Sequence, residues 1–448
     1  MKKQFPPAFN WGVTTTAVQI EGGQGPETGR GPGMWSAFAA EEGNTYNGDG
    51  PKHAARSYEY LDRDLVAVQR LGVKTYNFTA CWPRLLPEGS GRVNQQGVDY
   101  YHRLIDGLLA RDVRPELSLF DWDLPLAYAE RGGWERRDLT ERFGEYLDLL
   151  IREYGDRVTH WMTFNEISTQ ALNGYLKGNH APGRQSLQGY LRAYHHLLLA
   201  HGQSVERLRA AGDYSISLVD NLLPYYPATV TDADRDAAAH QWEDLAYYPL
   251  DAVFKGKLRS SFRERYEAKG LRFDHVREGD LRTISQPIDR FGVNYFTSFN
   301  VSHDPDDPRG IAVSAAPGTQ SPFGWTIDPQ GLLEALRMLR RDYTHELPLF
   351  IGECGVGQVD YPDPNGEVID RGRIDYLRQH LEKVHTAIAE GIPVEGFFVW
   401  SLMDNFEWQE GYRKRFGLFY TRYDRPAEYT IKASGQWYAE VCKTAVLA

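Results

Sequence analysis

Cysteine is scarce in this chain of 448 residues: Cys81, Cys354 and Cys442 are its only three. An odd number at wide spacing supports neither a disulfide framework nor a zinc site, and it points to a reducing compartment. No apolar run follows the basic start Met1-Lys2-Lys3, so neither a signal peptide nor a membrane span is expected, and a cytoplasmic location is. No long Lys/Arg run or basic face is present. Fifty basic residues against 61 acidic ones leave a net charge of −11, which argues against a nucleic-acid partner. No Asp/Glu/His cluster asks for a cation and no glycine loop after a strand could cradle a phosphate, so neither metal nor organic cofactor is expected. No Ser/Gly-rich linker divides the chain, and residues 1–448 read as one domain. The oligomeric state leaves no mark.

What is abundant is aromatic: 11 Trp and 27 Tyr. A large core with amphipathic rims accounts for most of them. A sugar pocket also wants such residues, because the C–H faces of a pyranose are apolar. Composition leaves both readings open.

Short β-branched or aromatic runs alternate with helical periodicity. Strands are expected at Phe9–Thr14, Thr75–Ala80, Arg114–Phe120, His160–Asn165, Tyr214–Asp220, Arg290–Asn294, Leu349–Glu353 and Val394–Trp400. Between them, Ser57–Leu71 keeps Tyr58, Leu61, Leu65, Val68 and Leu71 on one face, with Gly72 as a C-cap. Pro329–Leu339 aligns Leu332, Leu333, Leu336 and Leu339 in the same way. Eight strands separated by helices predict an α/β fold, a single (β/α)8 TIM barrel. The polar stretches Glu27–His53, Leu222–Tyr247 and Asp304–Pro322 are expected as loops at the rim of its site.

Two glutamates fall at strand ends, in Thr163-Phe164-Asn165-Glu166 and Ile351-Gly352-Glu353. A pair of carboxylates at one pocket is the minimum equipment for cleaving a glycosidic bond. Further motifs run nearly end to end: Phe5 to Gly12, Gln19-Ile20-Glu21-Gly22, Ala80-Cys81-Trp82-Pro83-Arg84, Asp121-Trp122-Asp123-Leu124-Pro125, Gly132-Gly133-Trp134, Gly292-Val293-Asn294-Tyr295, Trp400 to Trp408 and Arg415-Phe416-Gly417-Leu418. In this order they resemble glycoside hydrolase family 1, the β-glucosidase and β-galactosidase family.

The resemblance implies a retaining β-glycosidase acting on a small-molecule glycoside, with no nucleic-acid or membrane partner. It makes Glu166 the general acid/base and Glu353 the nucleophile, where each alone would read as a loop carboxylate or a paired strand-end acid. Asn165 would hold the sugar 2-hydroxyl, and Tyr295 would bond the nucleophile. Gln19, Trp400, Glu407 and Trp408 match sugar-binding positions. Relatives acting on 6-phosphorylated sugars carry a small residue at the place of Glu407, because a carboxylate repels phosphate. Glu407 therefore argues against a phospho-glycosidase despite Arg413, Lys414 and Arg415, which read as a solvated or helix-flanking cluster. Trp325 is a candidate wall of the aglycone site, with core packing as its alternative. His180 reads as rim or as backing to the site.

The chain also departs from the family near the chemistry. A Tyr-Arg-Phe-Ser pattern becomes Tyr76-Asn77-Phe78-Thr79, removing an arginine that contacts the nucleophile. His-Trp-Asp-Leu-Pro becomes Asp121-Trp122-Asp123-Leu124-Pro125. Ile167 stands where proline follows the acid/base, and Cys354-Gly355 where Asn-Gly follows the nucleophile. Cys354 is expected to pack. Asn77 and Asn294 are candidates for supporting the catalytic pair. Losing a cation and gaining Asp121 raises the nucleophile's pKa unless something compensates. One compensation is a cationic substrate: an ammonium against Asp121 would make a charge-assisted hydrogen bond. The glycone is therefore expected to differ from plain glucose, an amino or deoxy sugar being one option. The alternative is that Asp121 simply accepts from a hydroxyl while other residues replace the cation. A transglycosidase, or a sugar-binding barrel that has lost hydrolysis, are the competing functions.

Overall fold

The computed structural model describes residues 2–447. Eight parallel strands close into a barrel in chain order: β1 (Asn10–Thr15), β2 (Thr75–Thr79), β3 (Arg114–Ser118), β4 (His160–Asn165), β5 (Ser215–Asn221), β6 (Arg290–Tyr295), β7 (Leu349–Cys354) and β8 (Val394–Trp400), which pairs back onto β1. All eight expected strands are present, with ends displaced by at most two residues. They are almost wholly buried because helices cover their outer faces, and their polar residues, such as Asn77, Arg290 and Glu353, lie inside the barrel or at its mouth.

The inside of the barrel is packed. Met162, Val219, Phe350 and Phe398 form a separate apolar cluster there. Near the N-terminal ends of the strands, Arg290 donates to Glu116 at 2.9 Å and its guanidinium lies 4.6 Å from the Phe350 ring centre. The floor of the site is thus a filled core, and the functional groups are confined to the opposite, C-terminal mouth.

The helix expected from Ser57 starts at Leu61 and ends at Leu71; Gly72 follows with φ 65°, the left-handed C-cap that glycine adopts without strain. Asp62 and Asp64 in the first turn complement the helix N-terminus. Pro329–Leu339 is helical as expected, with the Asp328 side chain accepting from the Gly331 N–H.

The three stretches expected as loops hold regular structure. Met34–Ala40 is a helix, and so is Asp232–Trp242, capped by Thr231. Ile311–Ala315 pairs antiparallel with Phe299–His303, which in turn pairs with Tyr225–Pro227. Two of its strands form a hairpin, and the third, Tyr225–Pro227, comes from far away in sequence, so no local pattern announces that pairing. The helix at 232–242 buries only Asp234, Ala237, Ala238 and Gln241, a face too polar and small-sided for a clear apolar stripe. Among the described residues no helix is long and apolar enough to cross a membrane.

Candidate active site

Glu166 and Glu353 both sit at the mouth, each just beyond an irregularity in strand register. The β4–β5 ladder shifts between Met162 and Asn165, and the β7–β6 ladder between Ile351 and Glu353. Such bulges re-aim the side chains that follow them. Glu166 adopts φ 52° and ψ 58°, and its N–H donates to the Val219 carbonyl at 2.9 Å. This left-handed turn ends the strand and starts the short helix Ile167–Gln170.

Two asparagines join the pair. Asn165 Nδ2 donates to Glu353 Oε1 at 3.0 Å, and Asn294 Nδ2 donates to Glu166 Oε1 at 2.8 Å. Asn294 Nδ2 also reaches Asn165 Oδ1 at 3.0 Å, linking the two carboxylates through one amide chain. Asn294 is fully buried behind the pocket.

Asp121 enters the same network. Its Oδ2 accepts from Asn165 Nδ2 at 3.2 Å and from the Thr16 hydroxyl, while its buried Oδ1 has no partner. Trp122, at φ 60°, donates its indole N–H to the Asn165 carbonyl at 3.2 Å. Its ring stacks on Trp408 at 4.8 Å, and Trp35 packs against Trp408 at 4.6 Å. Gln19 is anchored by its amide N–H to the Phe406 carbonyl at 2.8 Å, which leaves its Oε1 free.

These groups face a cavity of about 450 Å³, the volume of a sugar-sized site. Glu166, Glu353, Gln19, Asp121 and Asn165 line it, together with Trp325, Trp400, Glu407 and Trp408. Nine of the sequence-derived site residues thus meet in one pocket. Phe296, Phe323, Trp325 and Phe416 form one aromatic wall. Trp325 is half-buried there, in the pocket and packed on its neighbours at once.

Three expectations need correction. Tyr295 does not face the nucleophile: its hydroxyl donates to the Asp328 carbonyl at 2.6 Å, outside the cavity. Strand alternation turns Tyr295 outward and gives its place in the pocket to Phe296. Lys414 is not part of a solvated cluster. It lines the pocket, pairs with Glu410 at 3.1 Å and lies 3.3 Å from the Phe323 ring centre. Arg415 is likewise tied down, to Asp404 at 2.8 Å.

Asn77 stays behind the pocket. It pairs in register with Thr14, whose hydroxyl donates to the Gly352 carbonyl at 3.0 Å, but Asn77 Nδ2 itself has no partner. His180 is a lining residue 5.2 Å from Trp122, in keeping with a rim position. Cys354 is fully buried near the Tyr376 hydroxyl, as packing requires. Sequence reasoning missed Thr16, Trp122, Phe296 and Phe416 as lining residues, although Trp122 and Phe416 lie inside motifs it singled out.

The electrostatics are one-sided. Burial raises the pKa of Glu353 well above the usual carboxylate range, and the nearby Glu166, Asp121 and Glu407 raise it further. Glu166 is raised by burial and then by Asp220 and Asp121, against the Asn294 hydrogen bond. Burial also raises Asp121, and it pushes Glu407 to about 8. Among the described residues no Lys or Arg ion-pairs with any of these four. The neighbouring carboxylates all favour the protonated carboxyls, and Glu166 and Glu353, linked through Asn165 and Asn294, titrate as an interacting pair.

Two carboxylates at the mouth of a parallel (β/α)8 barrel, joined by amides and walled by tryptophan, define a glycoside hydrolase. The sequence model of glycosyl hydrolase family 1 matches residues 1–446, and the chain belongs to that family of retaining β-glycosidases. It is 38% identical over 447 residues to a 1,4-β-D-glucan glucohydrolase of Thermotoga neapolitana, covering 98% of each chain. β-Glucosidase A of Thermotoga maritima is also 38% identical over 447 residues at the same coverage. The solved family 1 β-glucosidase of T. maritima in complex with isofagomine lactam superposes with a TM-score of 0.94 at 37% identity, covering 100% of both chains.

Proposed function

We propose that the chain works as one catalytic barrel that hydrolyses the β-linked glycoside of an amino sugar, with Glu353 as nucleophile and Glu166 as acid/base. In the first step the ionised Glu353 attacks the anomeric carbon. The bond to the leaving oxygen breaks, and Glu166 gives that oxygen its proton. In the second step Glu166 takes a proton from water, whose oxygen displaces Glu353 from the anomeric carbon.

The observation that carries the glycone assignment is the partnerless Oδ1 of Asp121, at the end of the pocket where, among the described residues, neither Asp121 nor Glu353 has a cation pairing with it. A substrate ammonium at that oxygen supplies a charge-assisted hydrogen bond. It also lowers the proton affinity of Glu353 by placing a positive charge nearby, so the nucleophile ionises when the right sugar arrives. A deoxy sugar removes a hydroxyl but brings no charge, and so accounts for less of the arrangement. Glu407 in the pocket, with Lys414 committed to Glu410, supports a glycone without a phosphate.

A panel of aryl β-glycosides tests this reading. Amino sugars should exceed the matching neutral sugars in kcat/KM, with the gain lost when the amine is acetylated. Fast turnover of plain glucosides with no gain for amino sugars would sink the assignment. In the same assays Glu353→Gln should abolish turnover. An unaffected variant would mean that the barrel does not use this nucleophile. Product analysis with an added acceptor alcohol separates hydrolysis from sugar transfer.

A further inference from the structure

Behind Glu166 lies a carboxylate that the proposed mechanism does not use. Asp220, at the end of β5, is buried and has no ion-pair partner among the described residues. Its Oδ1 accepts from the Ser168 hydroxyl at 2.6 Å and from the Asn221 N–H at 2.9 Å, and its Oδ2 faces the Ser168 N–H at 3.4 Å. The next residue repeats the tie: Asn221 Nδ2 donates to the Thr169 hydroxyl at 2.8 Å.

Ser168 and Thr169 lie in the first turn of the helix that begins directly after Glu166 and runs on into Ala171–Lys177. The first turn of a helix leaves backbone N–H groups without intrahelical partners, so it needs groups outside the helix to fix it. Glu166 must also hold a left-handed φ of 52°, which a side chain bearing a Cβ disfavours. Something outside the turn has to fix it, and β5 does so through the Val219 carbonyl, which accepts from the Glu166 N–H, and through Asp220 and Asn221.

We propose that Asp220 is a positioning residue for Glu166: it clips the turn that presents the carboxyl to the pocket, and its own negative charge biases that carboxyl toward the acid form. This rests on the assignment of Glu166 as acid/base. The bias follows from geometry, since a like charge behind a carboxyl disfavours a second anion. Asp220 raises Glu166 more than Asp121 does. Burial pushes Asp220 itself to about 7, against the Ser168 and Asn221 hydrogen bonds, so it is charged in the alkaline half of the profile where the acid form of Glu166 is lost.

The other titratable groups around the pair are Asp121, Glu353, Glu407 and Tyr225 on the pocket side, with Tyr194 behind. The carboxylates bias Glu166 the same way, and the tyrosines stay neutral because burial raises both. Asp220 is the one that also holds the backbone. The arrangement separates two effects: an Asn at 220 keeps an oxygen for the clip and removes the charge, whereas an Ala removes both.

The test compares Asp220→Asn, Asp220→Ala and Glu166→Ala on phenyl and 2,4-dinitrophenyl β-glycosides of the best glycone in the panel. In Asp220→Asn the alkaline limb of kcat/KM should move to lower pH by on the order of one unit, with KM little changed. Asp220→Ala should add a loss in kcat that is larger for the phenyl glycoside, whose poor leaving group needs the acid, than for the dinitrophenyl one. An unshifted profile in Asp220→Asn overturns the charge bias. Equal losses on both substrates in Asp220→Ala overturn the positioning role; should that variant fail to fold, Asp220→Asn decides alone. Glu166→Ala guards the premise: unimpaired cleavage of the phenyl glycoside overturns the acid/base assignment itself. Impaired cleavage with an unshifted Asp220→Asn profile overturns only the inference about Asp220.

Discussion

Asp121 and Glu353 accept from the same donor, the Nδ2 of Asn165, at 3.2 and 3.0 Å. One neutral amide is thus all that separates two buried carboxylates. A shared N–H donor stabilises two anions far less than a cation between them would, because it brings only a partial charge. The arrangement favours whatever places a positive charge on the free side of Asp121.

Asp121→His restores the family residue at this position and tests that relationship directly. Amino-sugar glycosides should lose roughly ten- to a hundredfold in kcat/KM, the worth of one charge-assisted hydrogen bond. Unmodified β-glucosides should gain, since the imidazole brings no anion next to Glu353. Steady-state kinetics on paired aryl glycosides measures both changes. Equal changes for both sugars would remove Asp121 from glycone selection.

Asn77→Arg returns the missing cation from the opposite side. Asn77 lies beside Thr14, which holds the backbone carbonyl immediately before Glu353. A guanidinium here should lower the proton affinity of Glu353. The nucleophile must be ionised, and activity falls as pH drops through its pKa. The acid limb of kcat/KM should therefore move to lower pH, by roughly one unit. The position is buried, so the larger side chain is expected to destabilise by about 1–3 kcal/mol, which a thermal melt beside the pH profile would reveal.

The barrel was legible because its signal is local and repeated: eight buried strands, each bounded by helix periodicity, need no knowledge of what they touch. The two glutamates at the mouth and most of the pocket followed from motifs at the ends of the strands. The errors have a different origin. Tyr295 and Phe296 are adjacent, and only the pleat at the end of β6 decides which one faces the sugar. Lys414 looked solvated among Arg413 and Arg415, yet its partners Glu410 and Phe323 are set by loop packing. In the three-stranded sheet beyond the barrel, Phe299–His303 and Ile311–Ala315 form a local hairpin, but its third strand, Tyr225–Pro227, pairs across more than seventy residues, a span that no local window of sequence contains.

The outward position of Tyr295 carries its own expectation. Tyr295→Phe removes a buried hydrogen bond to the Asp328 carbonyl and should cost about 1 kcal/mol, a shift of ~2 °C or less in Tm. Catalysis should hold, with kcat/KM and its pH profile close to those of the parent. Phe296→Tyr should do the reverse, adding a hydroxyl within the pocket and altering the profile. A large catalytic loss in Tyr295→Phe with unchanged Tm would show instead that its hydroxyl serves the nucleophile.

The crowd of carboxylates makes a further claim on stability. Burial holds Glu407 at about 8, well above its value in the unfolded chain. A folded state with a raised carboxyl pKa retains a proton that the unfolded state releases between the two pKa values. Stability associated with this group is therefore present at low pH, begins to fall above about 4 and is lost by about 8. Glu407→Gln keeps the shape and removes the titration. It should leave Tm nearly unchanged at pH 4 and raise it at pH 8, by on the order of 2 kcal/mol or a few degrees, while weakening sugar binding. Melting curves of both proteins across that range provide the check. The two sets of Tm values should diverge as pH rises, and parallel curves would mean that Glu407 ionises in the folded pocket as freely as it does in water.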